Sequence, residues 1–472
     1  MDSTTDPIVS DVSTDSVRDL ELAAAFDSLN GLIDWPQVDE IMPLGPATIY
    51  TASITLWLLV YQGMHPRASL SEAVLHLINH QPEHLPSNKR LRDGTLSEAT
   101  GSYSQARKRL TMQVTEWFAG EVSRLLIDAS PKTLGGQRVY TIDGSTLILA
   151  PEPALRKAYP PASNQHGTAV FPVALIVMAH ELSSGCALIP QIGAMYGPNA
   201  VSETALVPKL MAQMPPRSVV LADANFGIFW VAHEAHRQGH NFLLRMTASR
   251  FRSLQKWAQL IDEGKTAGGL NWKTYQYTWK PSRQERRKHP DLPIDACLSV
   301  KLHQVELRGG KALSIVADVT LSCEEAAAVY QQRGDIETDI ENFKVVLDGE
   351  HIRARTVPMF HKELLTSFVG YNLVCQFRRQ AAKLAQVKPR RLSFTRVWTT
   401  FREFLINTRL TDSILARKQF DLALHYASRM KLPNRPGRVY PREAYRQTHK
   451  SHGFKKRKSR DENKKTDEKP AS

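Results

Sequence analysis

The residues best suited to chemistry lie on one stretch, Tyr330-Gln-Gln-Arg333-Gly-Asp-Ile-Glu337-Thr-Asp-Ile-Glu-Asn-Phe-Lys344. At roughly 100° per residue, one continuous helix puts Tyr330, Arg333, Glu337 and Lys344 on a stripe about 60° wide. Ile336, Ile340, Phe343 and Leu347 fall on a second, apolar stripe about 90° away. Such a helix is held down by its apolar face and presents, beside it, one carboxylate, two cations and an aromatic ring. Taken alone, the pattern better fits a solvated ladder of ion pairs. Two upstream aspartates shift the balance. Asp143 follows the strand-like run 139–142 and precedes Gly144-Ser145, and Asp223 follows the strand-like run 219–222. In open α/β sheets, sites gather at the carboxyl ends of strands, where two aspartates and a helical glutamate can converge. Three hard carboxylates without soft ligands suit two octahedral Mg²⁺ ions, with Mn²⁺ able to substitute. Two such ions clamp the attacking and leaving oxygens of an in-line phosphoryl transfer, while the cations beside Glu337 hold a nucleic-acid backbone.

These residues need a frame. A chain of 472 residues can bury a large core, and 42% hydrophobic with 23% charged residues describes a globular protein, not a fibrous one. The longest apolar run, 169–179, is far short of the roughly 18–20 residues that cross a bilayer, and the first residues lack a basic and an apolar signal region. Neither a membrane partner nor export is expected. Cys186, Cys297, Cys323 and Cys375 are scattered, with no close pair for a disulfide framework or metal knuckle, so reduced, buried thiols in a cytoplasmic compartment are expected.

Periodicity divides the chain. Residues 1–17, rich in Asp, Ser and Thr, read as a mobile acidic arm. Helical spacing over 18–130 predicts an N-terminal helical domain, with Arg107, Lys108 and Arg109 on an amphipathic helix that either enters DNA or faces solvent. Short apolar runs at 139–142, 171–179, 187–192, 219–222 and 241–245 predict strands over 131–246, with a helix at 202–214 between the third and fourth. Residues 247–318 read as a mostly β insertion, and a long helix from Glu324 to about Leu347 opens a second core segment, 319–380. A helical C-terminal region (381–430) and a basic tail (431–472) complete the chain. Trp272 and Trp279 in the insertion are either a cross-strand packing pair or platforms on which a flipped base stacks. His233 and His236 lack a third ligand at suggestive spacing and read as helix surface, and Gly309-Gly310-Lys311 reads as a hairpin turn.

Charge points to the partner. The formal net charge is +14, yet residues 1–45 carry −9 and the remainder +23, of which 429–460 alone hold +11. Concentrated positive charge is the footprint of a polyanion partner, because each neutralised phosphate releases condensed counterions.

The order Asp143, Asp223, then Tyr330-x2-Arg333-x3-Glu337-x6-Lys344 resembles the DDE transposases of bacterial insertion sequences, specifically the IS-four type with its Y-R-E-K signature. The stretches 104–110, 141–145, 362–364, 371–374 and 434–438 are similar to that family as well, so the likeness spans about residues 60–445. It implies an α/β fold: an RNase H-like catalytic core, a mixed sheet with flanking helices, interrupted by a mostly β insertion between Asp223 and Glu337. It implies that Asp143, Asp223 and Glu337 bind two metal ions and that Tyr330, Arg333 and Lys344 contact phosphates at the scissile end. The implied partners are double-stranded DNA, as inverted-repeat ends and target, and a second copy of the chain on DNA. The implied reaction is cut-and-paste transposition, with a hairpin intermediate by analogy. Two positions depart from relatives: Gly334 stands where some carry Trp, and Cys375 where Arg is frequent, with Arg378 and Arg379 as possible replacements. The alternatives are an RNase H-like nuclease without strand transfer and an inactive or repurposed DNA-binding relative.

Overall fold

A computed structural model describes residues 31–433 apart from 46–47, 66, 81–87, 166, 308 and 409–411. The acidic arm expected at 1–17 lies outside the described residues, as does the basic tail beyond Pro433. Among the described residues six helices come first: α1 (Trp35–Ile41), α2 (Ala52–Met64), α3 (Leu70–His80), α4 (Lys89–Arg92), α5 (Gly101–Arg109) and α6 (Met112–Asp128). Helix α2, capped by the Thr51 hydroxyl, is apolar on nearly every side and buried along almost its whole length. A helix without a polar face must be covered all round. Its main cover comes from the far end of the sequence, a 28-residue helix over Val357–Leu384. The two backbones touch through glycines: a Cβ on Gly63 would lie 2.8 Å from Ser367 Cα, and one on Gly370 2.6 Å from Met64 Cγ. Helix α6 packs on the same long helix, so the two ends of the chain share one helical layer.

The chain between these helices forms a nine-stranded sheet. Its strands are β1 (Val139–Ile148), β4 (Val173–Glu181), β5 (Gln191–Ala194), β6 (Val219–Ala222), β7 (Asn241–Arg245), β8 (Gln259–Lys265), β9 (Asn271–Trp279), β10 (Leu298–Glu306) and β11 (Ala312–Ala317), in the order β5-β4-β1-β6-β7-β11-β10-β9-β8. A separate two-stranded ribbon joins β2 (Ser163–Asn164) to β3 (Gly167–Thr168). Strands β1, β6 and β7 are parallel, and every other pairing is antiparallel. The segment between Asp223 and Glu337 thus extends the sheet: β11 pairs with β7, and β10, β9 and β8 follow outward. Gly309 and Gly310 lie in the β10–β11 turn, as the sequence predicts.

Alternation divides β1 and β6 between two cores. Tyr140, Ile142, Val220 and Ala222 face a core that includes Leu206, Val207 and Leu210 of the helix Glu203–Met211. Val139, Val219 and Leu221 face the opposite core, which includes Cys323, Ala326 and Tyr330. Of the four cysteines, all free, only Cys297 is exposed.

Two expectations need correction. The helix predicted to run unbroken to Leu347 changes pitch three times: α-helix at Cys323–Gln331, a 3₁₀ turn at Gln332–Gly334, α-helix at Asp335–Glu341 and a π-helical turn at Asn342–Val346. Ser322 and Glu325 form a capping box at its start, and the tight turn ends on Gly334, about 1 kcal/mol poorer than alanine as a helix former. Nor does Asp143 follow a strand. Strand β1 continues through it because its other edge stays paired with β4, from Tyr140 opposite Glu181 to Ile148 opposite Val173.

Candidate active site

The β1–β6 register explains how two aspartates 80 residues apart meet. Ile142 pairs with Ala222 in the parallel ladder, so Asp143 and Asp223 occupy the next rung, where β6 ends and β1 goes on. Residues on one rung of a parallel pair project to the same side, here the side of the core that holds Tyr330. The Gly144 N–H donates to Asp143 Oδ1 at 2.9 Å, and the Asn225 N–H donates to Asp223 Oδ1 at 2.9 Å.

The helical run 323–346 crosses that face and delivers Arg333 into the cleft. Its guanidinium lies 2.7 Å from Asp143, 3.7 Å from Asp223 and 2.7 Å from Glu337. The three carboxylates named from sequence are therefore brought together around one cation. Burial raises the Asp143 carboxyl above its ordinary value; Arg333 and the Gly144 N–H pull it back, and the charges of Asp223 and Glu337 push it up again. Among the described residues no group of three His, Cys, Asp or Glu side chains is set to hold a metal ion. The donor set nevertheless fits one: all its ligating atoms are hard oxygens, and they already share a positive charge, the Arg333 guanidinium.

The remaining predicted residues divide. Lys344, carried on the π-helical turn, donates from Nζ to Thr146 O at 3.0 Å and Ser145 Oγ at 3.4 Å and pairs with Glu350 at 3.3 Å, beside Asp143 on β1. Tyr330 is buried at the end of the first helical segment, on the side of the sheet to which Asp143 and Asp223 project. Burial raises its hydroxyl, with Arg245 opposing. Arg107 does not face solvent freely: its guanidinium is paired with Glu363 and lies 5.8 Å from the Tyr103 ring centroid. Lys108 is exposed, and Arg109 donates to Tyr50 O at 3.3 Å. Trp279 is buried with its ring against Phe229 at 5.5 Å, which leaves no open face for a base, and Trp272 lies across Gly264 of β8. The ring left open in this half of the sheet is Trp257, 81% exposed. Arg378 and Arg379 tie helices together, donating to Pro389 O and to Leu126 O.

One carboxylate went unnoticed in the sequence. Glu203 begins the helix Glu203–Met211 and receives a 2.5 Å hydrogen bond from Asn225 Nδ2, two residues beyond Asp223. Burial raises its carboxyl, and the Asp143 charge adds to that. Its only linear signal is an acid one residue after Ser202, which reads as ordinary capping chemistry.

No curated relative matches the sequence. The fold is similar to a piggyBac transposase solved by cryo-EM as a synaptic complex with hairpin DNA, at a TM-score of 0.40 and 11% identity over 89% of this chain and 87% of that one. Residues 134–373 match the transposase DDE domain. That match takes in β1 with Asp143, β6 with its following Asp223, and the helical run with Arg333 and Glu337, and on it the chain belongs to the DDE transposase family.

Proposed function

We propose that this protein is a transposase of the IS-four type that binds the terminal inverted repeats of its own element, cleaves there in a Mg²⁺-dependent reaction and transfers the freed 3′ end to target DNA. The observation that carries this reading is the convergence of Asp143, Asp223 and Glu337 on Arg333 within the family's matched region. The sheet supports an RNase H-like core, with β5, β4 and β1 antiparallel and β1, β6 and β7 parallel. A net charge of +14 supports DNA as the partner, and the need to hold two ends supports a dimer on DNA.

In this reading Asp143, Asp223 and Glu337 hold the divalent ions that DDE transposase domains generally use. When bound, such ions supply activation of water or a 3′-hydroxyl and neutralise charge on the leaving oxygen. Arg333, released from the carboxylates, is long enough to pair with a backbone phosphate, and its planar fork suits that task. Lys344 fixes β1 beside Asp143 and adds a second positive charge at the scissile end. The stacking platform proposed for a flipped base passes from Trp279 to Trp257, whose ring is open.

The test is incubation of the purified chain with a labelled duplex bearing its element's end, with and without Mg²⁺, beside Asp143→Ala and Glu337→Gln. Metal-dependent nicking followed by a joined or hairpin product, lost in both variants while end binding persists, is the expected result. Cleavage without joining identifies a nuclease, and binding without cleavage in any divalent metal identifies an inactive relative.

A further inference from the structure

The two faces of the sheet contribute carboxylates to one cleft. Asp143 and Asp223 project toward the core that contains Tyr330, where Arg333 and Glu337 join them. Gly144 points to the other face, toward the core that contains Leu206, Val207 and Leu210 of the helix beginning at Glu203. There Glu203 approaches the sheet so closely that a Cβ on Gly144 would stand 2.1 Å from its Oε1 and 2.3 Å from its Cδ. Any side chain at residue 144 would therefore push this carboxylate away from the strand that carries Asp143. The other oxygen is held by Asn225 Nδ2, on the loop whose backbone N–H also fixes Asp223.

Charge shows what this placement demands. Asp143, Asp223, Glu337 and Glu203 bring four formal negative charges to the end of β6, against the single guanidinium of Arg333. Among the described residues Glu203 has no cationic partner within ion-pair distance, and Lys344 is engaged with Glu350. Half-buried carboxylates this close repel one another unless positive charge enters between them. The helix N-terminus and the Asn225 amide offset part of that cost at Glu203 and leave its Oε1, over Gly144, without a donor.

We infer that Glu203 is a fourth metal-binding carboxylate, reaching the cleft from the opposite face of the sheet through the gap left by Gly144, and that it helps to hold the second of two divalent ions. The inference rests on the metal-dependent reading above and extends it by one residue. It explains why a glycine follows Asp143 in mid-strand, where glycine otherwise weakens a sheet. It also gives Asn225 a role, since a hydrogen bond from behind orients a metal-binding carboxylate.

The test counts Mn²⁺ ions bound to the full-length chain without DNA, following the free Mn²⁺ signal by electron paramagnetic resonance, in wild type, Asp143→Asn and Glu203→Gln. Glutamine keeps the length of the side chain and an oxygen to accept from Asn225, so the thermal midpoint in EDTA is expected to hold. Wild type should bind two ions and Asp143→Asn neither with comparable affinity. Glu203→Gln should retain one and bind the second roughly 10- to 100-fold more weakly. Gly144→Ala, which displaces Glu203 without removing it, should reproduce that loss. A Glu203→Gln isotherm superimposed on wild type, with Asp143→Asn defective, overturns the role of Glu203 alone. A wild-type chain that binds no Mn²⁺, or an Asp143→Asn isotherm equal to wild type, overturns the metal reading as well.

Discussion

The helical run 323–346 joins an arginine–carboxylate cluster on each of two sides, one built on its own Arg333 and one on Arg390 from a later turn, and the burial of the carboxylates sets them apart. On the cleft side Arg333 spans Asp143, Asp223 and Glu337, whose side chain is 52% exposed. On the other side Arg390 forms a two-pronged pair with Asp339, both bonds 2.8 Å, and Asp339 is 0% exposed. Arg390 also lies 3.3 Å from Asp335 and donates to Leu182 O at 3.1 Å, while His180 and Tyr371 close the network around Gly185 O. A buried pair cannot be exchanged for water without stranding a charge, so the Arg390 side works as a strut. A cluster open to solvent can trade its cation for another. The fixed side holds the helix in register so that the exchangeable side meets β1 and β6.

The contrast breaks most visibly at the strut. Asp339→Ala should cost about 3–5 kcal/mol of folding stability, since it leaves a guanidinium buried with one partner fewer. Urea unfolding measures this, and a loss below about 1 kcal/mol would mean that the network relaxes as readily as the cleft. Arg333→Gln should cost less than Asp339→Ala in EDTA, because the three carboxylates it leaves behind are 21%, 33% and 52% exposed and keep contact with water. Saturating Mg²⁺ should then raise the melting temperature of this variant more than that of wild type, because the ion no longer competes with the guanidinium; equal shifts would deny that competition.

Acid should act on the strut first. Burial lowers the His180 pKa from its ordinary 6.5, although Asp339 pulls in the opposite direction. Between the folded and unfolded values the unfolded chain binds more protons, so this contribution is complete above about pH 6.5 and shrinks as the pH falls below it. Stability measured from about pH 7 to 5 should therefore fall, and His180→Gln should flatten part of the slope. His76, lowered by burial to about 3, and His303, lowered by burial to about 4, add to it with the same sign, as do His65, His233, His240, His289 and His361, each lowered chiefly by burial. The smallest effect is expected at Lys344. Its replacement by Ala should weaken DNA binding and reduce the salt slope of log K by roughly one, and an unchanged slope would place its charge off the phosphate path.

How much of this is legible in the chain differs by residue. Asp143, Asp223, Glu337 and Arg333 are visible because each sits in a short local pattern, apolar run then acid or i, i+4 along a helix, and local patterns survive folding. Tyr330 shows where that logic stops. Its phase assumes a uniform helix, whereas a 3₁₀ turn stands between it and Glu337, and its side chain is buried, which no spacing rule reports. Arg107 and Trp279 are a cation and an aromatic of the right type whose partners, Glu363 and Phe229, belong to distant segments.

Composition and periodicity were enough to point to an α/β chain with basic charge and to single out the acids and cations of the candidate site, because side-chain chemistry and spacing are local properties. The meeting of Asp143 with Asp223 came from strand register, and the burial of Asp339 against Arg390 from helix packing. The approach of Glu203 from the far face of the sheet depends on a missing Cβ at Gly144, 59 residues earlier in the chain. Those facts are distances between segments far apart in sequence, which depend on how layers stack and which no window along the chain contains.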